Sequence, residues 1–452
     1  MMEFEGDYVL FVKGIENALQ KKVLISPKMS EAMLLWEKLY KNRAPWLNEQ
    51  VKSLNLAATI AGELACQATL DFNSKISGSR RADVIQEQVY DSVIFDIRRL
   101  VEYACATGGV VFKPYFDKSR LAVEYVRTNR FFPLGVDSRG EVVSAVFVER
   151  LQYKGRMYTR LEEHLLDGAG VTVQNHAFCG HGFWSLGRPV SMQEVPEWAE
   201  LAERVILPGV QKPLFSYFKM PLANVVDMDS PLGVSVFAKS VDMIQEADKQ
   251  FSRLMWEYEG GELAVDASVD ALRMEGGDMQ LPAHSKRLFR ALDIDVGGSD
   301  LYSVYAPTLR DASYIDGLNE ILIRVEDTCG LARGTVSNLN VKARTATELT
   351  LLRQRSYSTV TDIQKALQKA LADLVSGLET MATVFDLLPK GNCQVTFEFD
   401  DSMAVDRKAQ FEEMKQLVDQ GILSKWEFRT WYFGETEEQA KEKLQITENT
   451  DV

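Results

Sequence analysis

His176, Cys179 and His181 are the nearest thing this chain has to a set of metal ligands. Zinc sites pair their ligands at short fixed spacings and recruit a second pair from further along the chain. This trio matches no such spacing and no second pair follows, so a surface loop is expected there. The other histidines, His164 and His284, stand apart. Neighbouring carboxylates occur at Glu162-Glu163 and at Asp400-Asp401, and such pairs can do acid–base work. In a chain with 65 acidic residues a solvated face is the commoner outcome, and it is the expectation here. No G-x-x-x-x-G-K-[ST] phosphate loop, G-x-S-x-G elbow, H-E-x-x-H or C-x-x-C pattern is present. Gly260-Gly261, Gly276-Gly277 and Gly297-Gly298 read as turns rather than nucleotide cradles. Nothing argues for catalysis, a metal or a cofactor. The stretch from Arg333 to Arg344 is the most suggestive: Arg333, Lys342 and Arg344 are interleaved with Thr335, Ser337, Asn338 and Asn340, a set suited to phosphate oxygens. A loop between helices can equally be basic for solubility alone.

The elements that must position these residues are bounded by composition. At 452 residues the chain has room for roughly three domains. It is 46% apolar and 26% charged, enough for a sizeable core. Lys and Arg number 51 against 65 Asp and Glu, so the net charge is 51 − 65 = −14. A protein that wraps DNA by neutralising phosphates would be basic as a whole. Cys66, Cys105, Cys179, Cys329 and Cys393 are too few and scattered for a disulfide framework and read as reduced cytosolic thiols. Glu3, Glu5 and Asp7 stand where a signal peptide would be basic, and the apolar stretch Leu54 to Leu70 is interrupted by Glu63. Secretion and membrane spanning are not expected.

Periodicity divides the chain. Ser30 is expected to cap a helix carrying Met33, Leu34, Trp36, Leu39 and Tyr40, ended by Pro45. A second helix holds Ala57, Ile60, Ala61 and Leu64, and a third opens at Asp83 and stops at Gly108-Gly109. Period-2 runs follow at 110–115, 121–126, 142–148, 157–161 and 171–177, with short turns between them, which implies an antiparallel meander. Residues 178–205 read as an irregular connection. Asp229, Ser230 and Pro231 are expected to start a helix of about 28 residues, about 40 Å long, with a stripe through Phe237, Val241, Ile244, Phe251, Met255 and Tyr258. Further helices are expected over 311–328 and, about 60 Å long, from Ala346 to Phe385. Gln394 to Phe399 reads as a lone strand, and the tail from Asp406 as helices broken by Gly421 and Gly434. The fold class is therefore α+β, mainly helical. Helices this long suggest either an elongated subunit packed against its own copies or a long hairpin within one monomer.

Several stretches, in order along nearly the whole chain, resemble one family. Trp36-Glu-Lys-Leu-Tyr40, Pro45-Trp46 and Ser53-Leu-Asn-Leu-Ala-Ala-Thr-Ile-Ala61 are similar to the N-terminal helices of tailed-phage portal proteins. Glu102-Tyr-Ala-Cys-Ala-Thr-Gly-Gly109, Val110 to Tyr115 and Asn129-Arg-Phe-Phe-Pro133 resemble the helix-to-strand entry that follows. The most specific run is Phe218-Lys-Met-Pro-Leu-Ala-Asn224, Asp229-Ser-Pro-Leu-Gly233, Glu246-Ala-Asp-Lys-Gln250 and Trp256-Glu-Tyr-Glu-Gly-Gly261. Lys342-Ala-Arg-Thr-Ala-Thr-Glu348 and Gly421-Ile-Leu-Ser-Lys425 complete the likeness to portals of siphophages and prophages of Gram-positive hosts.

The resemblance implies a ring, usually of twelve subunits, at one capsid vertex. Double-stranded DNA enters and leaves through its channel, and the terminase large subunit and then the head–tail adaptor dock on it. Major capsid protein and scaffold are further implied partners. The location implied is the virion, with host cytoplasm during assembly, and no membrane. Carried onto this chain, the wing is 1–228, the first stem helix 229–259, the clip 260–310 and the second stem helix 311–332. The tunnel loop is 333–346, the long helix and returning wing strand 347–402, and the crown 403–452. Asn338, Asn340, Lys342 and Arg344 are then the residues expected nearest DNA. An acidic channel wall would keep phosphates from sticking, and a few basic residues per subunit could centre the duplex without trapping it. Two rival readings are an ATP-driven translocase, against which the missing phosphate loop counts, and a monomeric helical adaptor or scaffold with no DNA channel.

Overall fold

The computed structural model of the protein describes residues 2–117, 120–180, 182–268, 274–275, 278–279, 289–292, 302–338, 346–399, 407–433, 436–437, 439–441 and 443. Its N-terminal layer is helical. Pro27–Tyr40, Leu56–Ala68 and Ile97–Thr107 bring Met33, Trp36, Ile60, Leu64, Leu100 and Val101 into one core. The first of these is capped by Ser26, whose Oγ accepts from the Met29 amide at 3.2 Å, and Pro27 sits in its first turn. Ser30, expected as the cap, is buried inside the helix instead. Pro27 explains the difference, since it lacks an N–H where none would be satisfied and its φ is preset for a helix start. The helix expected at Asp83 opens at Arg80 behind a Ser79 cap and runs through a π-turn at Gln86–Tyr90. Met2–Leu19 is an additional helix whose Gly6 and Gly14 dilute its pattern.

Between Gly109 and Lys219 the described strands pair antiparallel, whereas Ala264–Ser268 pairs parallel with Phe289–Leu292. Phe131–Val136, Val142–Tyr153, Arg156–Asp167 and Gly170–Gly180 follow one another as a meander, and Arg188–Val190 and Arg204–Pro208 both pair with the last of them. Gly109–Asp117 lies between Arg120–Arg127 and Ser216–Lys219 in a separate sheet. The strand expected alone near the C-terminus, Gln394–Glu398, pairs antiparallel with Asn73–Ser77 and so ties the chain's end to its beginning.

The helix expected from Asp229 begins only at Val241 and ends at Gly260, 20 residues or about 30 Å. Its anticipated first turns are irregular chain ending in a 3-10 turn at Ala238–Ser240, with Leu232, Val234, Val236 and Phe237 buried. Tertiary bonds override the local signal there: the Val236 amide donates to the Cys105 carbonyl at 2.9 Å and Ser235 Oγ to the same oxygen at 3.2 Å. A Cβ on Gly233 would lie 2.0 Å from the Gly108 carbonyl oxygen, so this crossing needs glycine.

Ala346–Val384, 39 residues, is the longest helix. Val360, Ile363, Leu367, Leu371, Leu374 and Leu378 form its buried stripe against the Leu56–Ala68 helix and the Ser216–Lys219 sheet. Ser216 Oγ donates to the Ala370 carbonyl at 2.6 Å, fixing strand to helix. Arg407–Asp419 and Lys425–Phe433 follow, with Gly421 at φ 72° between them.

Candidate functional site

Val241–Gly260 and Asp311–Cys329 pack as an antiparallel pair, fastened along its length. Ser240 Oγ lies 3.3 Å from Cys329 Sγ at one end, and Gln250 Nε2 donates to the Tyr314 carbonyl at 3.4 Å midway. At the other end the Glu257 carboxylate accepts from the Arg310 amide at 3.0 Å and from its Nε and Nη2 at 3.1 and 2.7 Å. Those hydrogen bonds hold the Glu257 carboxyl below its ordinary pKa and raise that of Arg310. The pair is also tied to the N-terminal layer. Asp248 accepts from Trp46 Nε1 and from the Leu54 amide, both at 2.8 Å, and burial pushes its carboxyl up.

The loop after Cys329 is built on one side chain. Gly330 closes the helix at φ 75°, and a Cβ there would meet Thr359 Oγ1 at 2.3 Å. The buried Glu326 carboxylate then gathers the following turn. It accepts from the amides of Gly334 at 3.1 Å, Val336 at 2.6 Å and Ser337 at 2.8 Å, and from Ser337 Oγ at 2.7 Å. Arg333 forms a two-pronged pair with Asp327, at 3.0 and 2.8 Å, so its charge is answered locally rather than left open to a phosphate. The Asn338 amide donates to Asn319 Oδ1 at 2.7 Å. Residue 338 is exposed at the edge of this anchored turn, while Asn340, Lys342 and Arg344 lie outside the described residues. Glu326 escaped the sequence reading. Its signal was an acid in the last turn of a helix, where the helix dipole disfavours negative charge, set beside apolar Val325 and Cys329.

The other candidates separate. His176 and Cys179 are on one strand, not in a loop, and an odd spacing turns them to opposite faces. Cys179 packs with Tyr158 and Trp198, and His181 lies outside the described residues. No three His, Cys, Asp or Glu among the described residues are placed to hold a metal. Glu162 and Glu163 are not on a solvated face. Glu163 pairs with Lys21 at 2.7 Å, and Glu162 on the other face meets Lys113 at 2.7 Å, His164 at 2.8 Å and Arg160 at 3.0 Å. The strands bury both carboxylates, and cations on neighbouring strands and on the 21–22 turn compensate them. Asp400-Asp401 lies outside the described residues. No helix among the described residues is long and apolar enough to cross a membrane.

The family model described as "Phage portal protein, SPP1 Gp6-like" matches residues 67–451. No curated protein matches the chain. Among solved structures, one described as "Neck of native GTA particle computed with C12 symmetry" is similar at 11% identity over 91% of this chain and 95% of that one, with a TM-score of 0.46. Another, "Virion of native gene transfer agent (GTA) particle", is similar at 11% identity over 88% and 92%, with a TM-score of 0.42.

Proposed function

The chain belongs to the SPP1 Gp6-like phage portal protein family, and on that premise we propose that it assembles as a closed ring, of twelve subunits, at one capsid vertex. Membership makes it a structural, non-enzymatic protein. In this reading double-stranded DNA is packaged and later ejected through the axial channel. The terminase large subunit and then a head–tail adaptor dock on the ring, and capsid protein and scaffold surround it, in the cytoplasm of a Gram-positive host and then in the virion. The antiparallel pair Val241–Gly260 and Asp311–Cys329 is the stem, the segment between them the clip, and 333–346 the tunnel loop. Residues 1–228 with the long helix and its returning strand form the wing, and the two C-terminal helices the crown.

One observation carries the assembly. Apolar side chains remain open to solvent at one end of the helical pair: Trp256 is 66% exposed, Leu263 56% and Ile315 43%, with Leu309 beside them. An acidic chain gains nothing by wetting such a patch, and a neighbouring copy would cover it. Electron microscopy of the purified protein with rotational averaging is the test. Rings with a central hole wide enough for duplex DNA are expected. Monomers of 51.0 kDa that persist when capsid protein and scaffold are added would favour the adaptor reading instead.

DNA contact is a separate expectation. Lys342 and Arg344, with Asn338 and Asn340, follow the Glu326-anchored turn and are read as lying nearest the phosphates. Lys342→Ala with Arg344→Ala should lower packaging yield and the length of genome packaged, while leaving rings intact. Unchanged yield and genome length would remove these two residues from the DNA path.

A further inference from the structure

A second basic locus lies far from that loop in sequence. The end of the Pro27–Tyr40 helix, the turn Thr128–Arg130 and the strand Val142–Tyr153 enclose a cleft of about 350 Å³. Lys38, Lys41, Arg43, Arg127, Arg130 and Arg150 line it. Among the described lining residues the only acidic side chain is Glu37, and it is already engaged by Lys41 and by Asn129 Nδ2. Six cations against one acid reverse the sign of a chain whose net charge is −14. Such local concentration in a concave site focuses the field on whatever enters it.

Arg150 is the built part of the site. Its guanidinium sits 4.3, 4.4 and 4.5 Å from the ring centroids of Phe11, Phe183 and Trp184. The rings hold it in place and offset part of its desolvation. Its Nε and Nη2 are enclosed and make no hydrogen bond among the described residues. Burial and the like charge of Arg130 push its pKa down to about 10. A half-enclosed cation beside a second cation costs stability unless an anion completes the group. The fold holds this arrangement rigidly by packing Arg150 among three rings, so the cleft is preorganised for a negative ligand.

We propose that this cleft is a phosphate-binding site, with Arg150 as its fixed cation and Arg127 and Arg130 closing on the bound group. Phosphate fits better than a single carboxylate because a free phosphate carries about −1.5 to −2 at neutral pH, and a nucleic-acid backbone presents successive phosphates of one charge each, so either answers several cations at once. Phe183, half exposed at the rim, offers an apolar face next to the anion. The phosphate belongs either to a small free anion or to a nucleic-acid backbone. The inference does not depend on the channel reading, because no residue of the 333–346 loop lines the cleft.

Calorimetry on the full chain tests it, with inorganic phosphate, a short DNA duplex and poly-glutamate as separate titrants. The comparison protein carries Arg127→Gln and Arg130→Gln. Arg127 is exposed and Arg130 half-buried, so this variant should fold; its thermal melt confirms that before titration. Arg150→Met, which keeps the packing between the rings, is the second variant. Saturable phosphate binding weakened about tenfold or more in both variants supports the site. Binding of phosphate alone identifies a small anion as the source. Duplex binding with the same sensitivity to Arg127 and Arg130 identifies the nucleic-acid backbone. No saturable binding of phosphate or duplex, or binding unchanged in the folded variants, overturns the proposal. Poly-glutamate binding as tightly as phosphate also overturns it, because the cleft would then be a seat for acidic protein.

Discussion

Replacing Glu326 with alanine is expected to destabilise the protein by about 3 kcal/mol and to free the turn at 330–338. Three amides and a hydroxyl converge on this one carboxylate, and the side chain is fully buried. Hydrogen bonds to a charged group contribute about 1.5–3 kcal/mol each, and donors left without a partner cost about as much. Water reaching the amides of exposed Gly334 and half-buried Val336 would recover part of this, which is why the expected loss is below the simple sum. Glu326→Gln should cost less, since one oxygen still accepts while its NH2 group faces donors. Arg333→Ala is the control. Its pair with Asp327 lies in solvent and should contribute under about 1 kcal/mol. Urea midpoints measure the stability. Hydrogen exchange at the Gly334, Val336 and Ser337 amides measures the local effect. If those amides stay as protected in Glu326→Ala as in the parent, the carboxylate is not what orders the turn. In the portal reading this variant should still form rings but package DNA poorly, because the tunnel loop leaves from a loosened base.

The contrast between Glu326 and the long helix shows what a sequence can and cannot reveal. The stripe Val360, Ile363, Leu367, Leu371, Leu374 and Leu378 repeats by three and four, and the helix stands where that spacing places it. The strands flanking Lys154-Gly155 and Asp167-Gly168-Ala169-Gly170 were equally legible, because alternation and turn chemistry are local. Gln394–Glu398 could be read as a strand, but its partner Asn73–Ser77 lies more than 300 residues away, and nothing local names it. The segment before Val241 was misread for the same reason. Its Asp-Ser-Pro start favours a helix, and distant contacts such as the Cys105 carbonyl and the Gly108–Gly233 crossing hold it irregular instead. Of the loop residues singled out, Arg333, Thr335, Ser337 and Asn338 are on the described turn, and what fixes that turn is a glutamate that no motif marks. The basic cleft around Arg150 is not legible for the same cause, since its cations come from elements far apart in sequence.

Glu162 is expected to give the other large effect, and here pH separates the explanations. Lys113 is almost wholly enclosed, bridging Glu124 at 2.9 Å and Glu162 at 2.7 Å with the Phe147 ring 5.1 Å away. Arg160 spans Glu149 and Glu162 at 2.7 and 3.0 Å, and His164 Nε2 lies 2.8 Å from Glu162. Burial alone would raise the Glu162 carboxyl, but Lys113, the His164 hydrogen bond and Arg160 together hold it well below the usual carboxylate range. Removing one member of such a buried group leaves its partners uncompensated, at about 3–5 kcal/mol. Glu162→Gln should therefore lose about that much at pH 7. A folded pKa below the unfolded value, about 4.3, gives stability that is complete above the unfolded value and is lost as pH falls through the folded one. The gap between parent and Glu162→Gln should accordingly shrink as pH falls below about 5. A gap that persists undiminished to pH 3 would mean that the glutamine disturbs packing rather than charge. Adding Lys113→Met to Glu162→Gln should cost less than the two changes summed, because each alone strands the other's charge. A strictly additive pair would show that the two charges do not stabilise one another and that the sheet tolerates each alone.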